Sequence, residues 1–295
     1  MSVISEAPLV FECAGKRLVG VIASPATSPS VALLVIVGGP QYRAGSHRQF
    51  VQLARQAAAH GFAAMRFDVR GMGDSEGAQR SFEEIDADVS AALDALQRAA
   101  PSVTRVGLWG LCGGASAALL YCLSCRDPRV AGVALVNPWV RSQTTQARTR
   151  VKHYYTRRLL QAEFWKKLLS GQVALGAVRE LARALRIVLS SSMQTAAESG
   201  EHGLSLERRM SSGLAGFHGE TLLVLSGNDY TAKEFLETVQ LDPSWKSLLS
   251  RSKLTRVDVV DADHTFSHPD SQIEVENHTL AWLGRIGADE RPRHG

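Results

Sequence analysis

VTRVGLWGLCGGASAALL, residues 103–120, places an apolar run, a glycine-flanked cysteine and a stretch of small helix-forming residues in direct succession. Val103 to Trp109 reads as a strand, and Gly113 to Cys125 as a helix rich in Ala and Leu. Between them, Gly110-Leu111-Cys112-Gly113-Gly114 has the form G-x-nucleophile-x-G, with Cys where Ser is commoner. A turn this tight leaves no room for side chains at Gly110 and Gly114, and it lifts the central side chain above the end of the strand. The helix that follows aims its N-terminus at the sulfur, which favours the thiolate. Cys112 is therefore the expected nucleophile. A buried cysteine in a tight strand-to-helix turn is the plainer alternative.

The same strand-helix rhythm runs on both sides. Upstream, Leu9 to Cys13 and Leu18 to Ala23 read as an antiparallel pair at a sheet edge. Val31 to Val37 is a continuous aliphatic run, as in a strand covered on both faces. A helix is expected from His47 to His60, a strand from Phe62 to Phe67, and a helix from Phe82 to Ala99 with Ser81 and Glu84 as a capping box. Downstream come a strand at Val130 to Val136, another at Thr221 to Ser226, a helix near Ala232 to Gln240, a strand at Leu254 to Val260 and a last helix from Gln272 to Ile286. Such alternation implies a doubly wound, mostly parallel α/β sheet with helices on both faces. Residues 142–215 break the rhythm, being basic and helix-prone. The expected division is a core in two parts, 1–141 and 216–287, a helical insertion at 142–215, and a short polar tail at 288–295.

A cysteine nucleophile needs a base, and the base needs an orienting acid. His264 lies just past the late strand at the carboxyl end of the sheet, where a base can meet the elbow. His268 is the second candidate. Asp229 follows the strand TLLVLS and is the expected acid, with a helix-capping role as its structural alternative. Asp263 and Glu234 are weaker candidates, one too close in sequence to His264 to reach its ring, the other on the next helix. Acyl chemistry also needs donors for an oxyanion. Gly113 offers a backbone N–H at the helix start; the second comes from the loop after Val37, where Pro40 has none, so Gly39 or Gln41 must serve and Gln41 is preferred. Tyr42, Arg43, Leu111 and Trp139 flank these loops and are the expected substrate contacts.

Together with Phe67-Asp68-Val69-Arg70-Gly71-Met72-Gly73-Asp74-Ser75, which is similar to the D-x-R-G-x-G-x-S loop of many such enzymes, these motifs resemble the α/β-hydrolase superfamily over residues 8 to 137 and 219 to 286. The resemblance implies that the insertion is a variable lid. GGPQYRAGSHRQF, LWGLCGGASAALLY and SGNDYTAKEF more closely resemble the bacterial exosortase A system-associated hydrolases of type 1, which commonly carry Cys at the nucleophile position. Two positions depart from pattern. Gly113 stands where that group has Asp, and Asp229 follows Gly227 by two residues where many hydrolases have three. The implied activity is hydrolysis of an ester or thioester through a covalent acyl-enzyme. Acyl transfer from a thioester is the nearest alternative, and a non-catalytic binding protein on a hydrolase scaffold the more distant one.

Composition narrows the partners. Hydrophobic residues make up 45% and charged residues 21% of 295, which permits a sizeable core. No apolar run is long enough for a transmembrane helix and the N-terminal stretch lacks a signal-peptide pattern, so a cytoplasmic location is expected. From Pro138 to Arg186 there are eleven basic and two acidic residues, a local excess of nine positive charges in a chain of net +4. That asymmetry suits an acyl group carried on coenzyme A or an acyl carrier protein, or contact with a membrane surface, while an ordinary solvated helical face is the plainer reading. No nucleic-acid motif accompanies it. Cys122 and Cys125 form a CxxC inside an apolar stretch, with no second ligand pair to make a metal site. No metal or cofactor is expected.

Overall fold

The computed structural model describes residues 4–38, 41–140 and 204–288. Eight strands form one sheet: β1 (Ile4–Cys13), β2 (Lys16–Pro25), β3 (Val31–Ile36), β4 (Ala63–Phe67), β5 (Arg105–Leu111), β6 (Val130–Val136), β7 (Glu220–Ser226) and β8 (Leu254–Val259). Their order is β1-β2-β4-β3-β5-β6-β7-β8, with β1 and β2 antiparallel and the rest parallel to one another. The doubly wound, mostly parallel sheet expected from the alternation is the sheet observed.

Burial follows the residue pattern. Every residue of β3 is buried, as its unbroken aliphatic run requires, whereas the edge strands β1 and β8 are mostly exposed or half-buried. The helices among the described residues are α1 (Gln49–Ala59), α2 (Asp86–Ala99), α3 (Gly113–Ser124), α4 (Leu206–Gly216), α5 (Tyr230–Leu241), α6 (Pro243–Leu249) and α7 (Pro269–Ala288). α7 lays the fully buried Trp282 across the sheet. A side chain at Gly107 of β5 or Gly132 of β6 would overlap the Trp282 ring, so glycine in these strands makes space for an indole. Phe50 of α1 meets Trp109 edge-on at 5.7 Å, within the core beneath the elbow.

Several boundaries differ from expectation. α1 begins at Gln49 rather than His47, because His47 and Arg48 have left-handed backbones (φ 43° and 64°) that cannot continue a helix. The segment from Phe82 opens with a 3₁₀ turn capped by Ser81 through Glu83 N–H, and α2 proper starts at Asp86. α6 was not expected. Asp242 caps it through Ser244 N–H at 2.9 Å, Pro243 begins it, and its Trp245 stacks edge-on against Phe235 at 5.4 Å. Residues 142–203 of the expected insertion and all but the first residue of the tail lie outside the described residues. Among the described residues, 4–139 and 209–288 belong to one compact unit.

Candidate active site

The elbow is built by close approach of backbones. A Cβ at Gly110 would strike Gly114, and one at Gly38 would strike Gly113 and Gly114. Only glycine lets β5, the start of α3 and the loop leaving β3 converge this closely. Cys112 sits at the apex with φ 58° and ψ −122°, a conformation that costs on the order of 1–3 kcal/mol for a residue with a side chain. The surroundings fix it. Cys112 N–H donates to Val136 O at 2.9 Å, and its carbonyl accepts from Ala115 N–H at 3.1 Å and Trp139 N–H at 3.4 Å. Ser116 Oγ then donates to Trp139 O at 2.6 Å, which ties the segment after β6 to α3. The side chain remains half-buried rather than sealed in the core.

His264 comes off the loop after β8, and Asp229 off the end of β7. His264 Nδ1 donates to Asp229 Oδ2 at 2.8 Å. That bond leaves the other ring nitrogen free of Asp229, and Cys112 is near enough to act on the protonation of the imidazole. The Asp229 hydrogen bond and then the Cys112 hydrogen bond push the His264 imidazole up to about 10, against the opposing effect of its partial burial. Asp229 also caps α5, its oxygens accepting from Thr231 N–H at 3.1 Å and Ala232 N–H at 3.2 Å. The second histidine, His268, is exposed and lies 3.7 Å from Asp270. Asp263 turns away from the ring and accepts from Thr265 N–H, Ser267 N–H and the Ser267 hydroxyl.

Gly113 begins α3 and is buried beside the sulfur-bearing residue. Gln41 is half-buried in the loop that Gly38 holds against the elbow; residues 39 and 40 lie outside the described residues. Of the expected substrate contacts, Tyr42 is exposed on this loop and Trp139 is half-buried with its backbone on Cys112. Two others need correction. Leu111 is buried in the core, so its side chain faces the sheet packing rather than a ligand. Arg43 is committed to carboxylates: its guanidinium pairs with Asp68 and, at 2.6 Å, with Asp74, and its N–H donates to Asp68 at 2.6 Å. It fastens its loop and has no charge left over for substrate.

The sequence reading missed a clamp on the histidine loop. His47 Nε2 lies 3.0 Å from the hydroxyl of Thr265, the residue after His264, and the His47 backbone is left-handed (φ 43°). The consecutive non-glycine residues before a helix give no periodic signal for such a bond. Cys122 and Cys125 are free thiols, and burial pushes Cys122 up to about 12, which disfavours the thiolate that redox or metal chemistry would need. Among the described residues no group of three or more His, Cys, Asp or Glu could hold a metal ion, and no helix is long and apolar enough to cross a membrane.

The family described as serine aminopeptidase, S33, matches residues 28–207. No curated protein matches the sequence. Among solved structures, an esterase of Pyrococcus furiosus is similar at a TM-score of 0.63 and 14% identity, over 96% of this chain and 93% of that one. A proline iminopeptidase of Mycobacterium smegmatis is similar at 0.62 and 14%, over 97% and 100%. Est1E of Butyrivibrio proteoclasticus, with ferulic acid bound, is similar at 0.60 and 13%, over 95% and 99%. Identities this low speak to the fold.

Proposed function

Since the chain belongs to the serine aminopeptidase S33 family of α/β hydrolases, we propose that it cleaves an ester or thioester acyl bond with Cys112 as nucleophile, His264 as acid and base, and Asp229 as the group that orients the histidine. The observation that carries this reading is the 2.8 Å hydrogen bond from His264 to Asp229 next to the strained Cys112 turn, on loops that follow three strands. Serine is the commoner nucleophile at such an elbow. Cysteine serves the same geometry and is intrinsically the stronger nucleophile as its thiolate.

A protonated His264 beside the sulfur stabilises the thiolate, and Asp229 stabilises the imidazolium. The sulfur attacks the acyl carbon, and the backbone N–H groups of Gly113 and Gln41 hold the oxyanion. As the bond to the leaving oxygen or sulfur breaks, His264 gives its proton to the leaving group. Water then attacks the acyl-cysteine, giving a proton back to His264 as the carbon–sulfur bond breaks. The basic segment from 138 to 186 suits a donor whose leaving group is anionic, such as a coenzyme A or acyl-carrier thioester.

Intact-protein mass spectrometry after brief exposure to a panel of acyl thioesters and p-nitrophenyl esters tests the reading. An acyl mass on the wild type that maps to Cys112, and is absent from Cys112→Ala, is expected. Full turnover by Cys112→Ala on a substrate the wild type cleaves would refute it.

A further inference from the structure

Asn137 is the first residue after β6, and it belongs to none of the three positions of the reacting chain. It is fully buried. Its backbone is left-handed (φ 44°), which a non-glycine residue adopts at a cost unless its surroundings hold it there; asparagine tolerates this region better than most. Every hydrogen-bonding group of the side chain is used. Oδ1 accepts from Ser226 N–H at 2.9 Å; Nδ2 donates to Ser226 Oγ at 2.9 Å and to the His264 carbonyl at 3.1 Å. Its own N–H donates to Val224 O at 2.9 Å.

The two sides of this residue lead to different members of the site. Through the backbone, neighbouring Val136 and Trp139 hold the N–H and carbonyl of Cys112. Through the side chain, Asn137 holds the last residue of β7, three before Asp229, and the main chain of His264 itself. One buried amide thus touches the strand end that leads to the acid and the residue that is the base, while its chain neighbours grip the nucleophile. A carboxylate cannot donate to the His264 carbonyl, and an aliphatic side chain can make none of these bonds. The left-handed backbone is what aims the amide across the strand ends rather than into the sheet.

We propose that Asn137 is a positioning residue that sets the imidazole of His264 between Cys112 and Asp229. The proposal rests on the functional reading given above. Losing the bond to His264 O frees the loop after β8, and a displacement of about 1 Å in a reacting group can cost on the order of a hundredfold in rate.

The test uses purified full-length protein and two readouts that do not need the natural substrate. One is the rate of Cys112 alkylation by iodoacetamide at neutral pH, followed by mass spectrometry. The other is the His264 titration midpoint by NMR on histidine-labelled protein. Asn137→Gly keeps the backbone conformation accessible and removes the amide. Asn137→Asp keeps an acceptor for Ser226 N–H and removes the donor to His264 O. Ser226→Ala removes only the hydroxyl end of the network. Expected for both Asn137 variants are an alkylation rate lowered about tenfold or more and a His264 midpoint that falls from about 10 toward the ordinary ~6.5. Ser226→Ala should keep both near wild-type values. If either Asn137 variant folds and retains wild-type alkylation and midpoint, the proposal is wrong. An equal loss in Ser226→Ala would also overturn it, because the effect would then be general loosening of the strand ends. A wild type whose Cys112 does not react with iodoacetamide would instead sink the functional reading, so the two failures are distinguishable.

Discussion

The Asp229 carboxylate accepts from three groups at once: Thr231 N–H, Ala232 N–H and His264 Nδ1–H. Two of these are the orphan donors of a helix start, and the third is a side chain brought from another strand end. Asp229→Asn separates the roles, because Asn also caps helices well while it lacks the charge. The cap should survive, and the rate of ester cleavage should fall by roughly two to four orders of magnitude. The substitution should also change how stability depends on pH. His264 has its folded-state value raised to about 10 by Asp229 first and Cys112 second, above its ordinary ~6.5. A group raised on folding contributes stability fully below its unfolded value and loses it as pH rises through its folded value. Wild type should therefore exceed Asp229→Asn in stability most at about pH 6, and the gap should close as pH passes about 10. Denaturant melts across this range measure it; a gap that widens with pH would show that His264 is not held protonated by Asp229.

Between residue and sheet lies the loop from Asp68 to Ser75, whose motif is explained by what its side chains fasten. Asp68, fully buried, accepts from Arg43 N–H at 2.6 Å, Asp74 N–H at 3.0 Å and the Arg43 guanidinium. Ser75 Oγ donates to Asp68 O at 2.7 Å and accepts from Val19 N–H at 2.9 Å. Arg70 forks onto the fully buried Asp88 of α2, with its closest contact at 2.7 Å. The loop thus ties β2, α2 and the segment carrying Gln41 to one another. Asp88→Ala strands a buried guanidinium and should cost about 3–5 kcal/mol. Urea titration checks the figure, and a loss under about 1 kcal/mol would show that the pair does not hold the loop. These elements also mark what sequence discloses. β3, β5, β6 and β7 were legible because strands covered on both faces must be aliphatic throughout. The elbow was legible because its close approach admits only glycine on either side of Cys112. The meeting of Asp229 and His264 was legible in their order after strands. Asn137, His47 and the commitment of Arg43 were not, since their partners lie 25 to 218 residues away and leave no local periodicity. The start of α1 was misplaced because helix propensity does not signal the left-handed backbone at His47 and Arg48.

Charge is a property of the whole molecule, and here it is divided along the chain. Residues 138–186 hold nine excess positive charges while the whole chain is only +4, so the remainder is net −5. A uniform surface of that total would have little effect on an approaching substrate, but a concentrated positive stretch attracts anions over roughly a Debye length, about 10 Å at 0.1 M salt. If the acyl donor is a coenzyme A thioester, its phosphates feel that field and a neutral p-nitrophenyl ester does not. Reversing Arg157, Arg158, Lys166 and Lys167 to Glu should therefore raise KM for the coenzyme A thioester several-fold at low salt, leave kcat nearly unchanged, and leave both constants for the neutral ester as they were. Raising the salt should shrink the wild-type advantage toward nothing as the Debye length falls to about 3 Å at 1 M. Steady-state kinetics of the two donors at several ionic strengths separates the cases. Equal effects on the charged and neutral donors would mean that the reversals disturb folding, and no effect on either would leave these residues as a solvated face with no part in choosing the substrate.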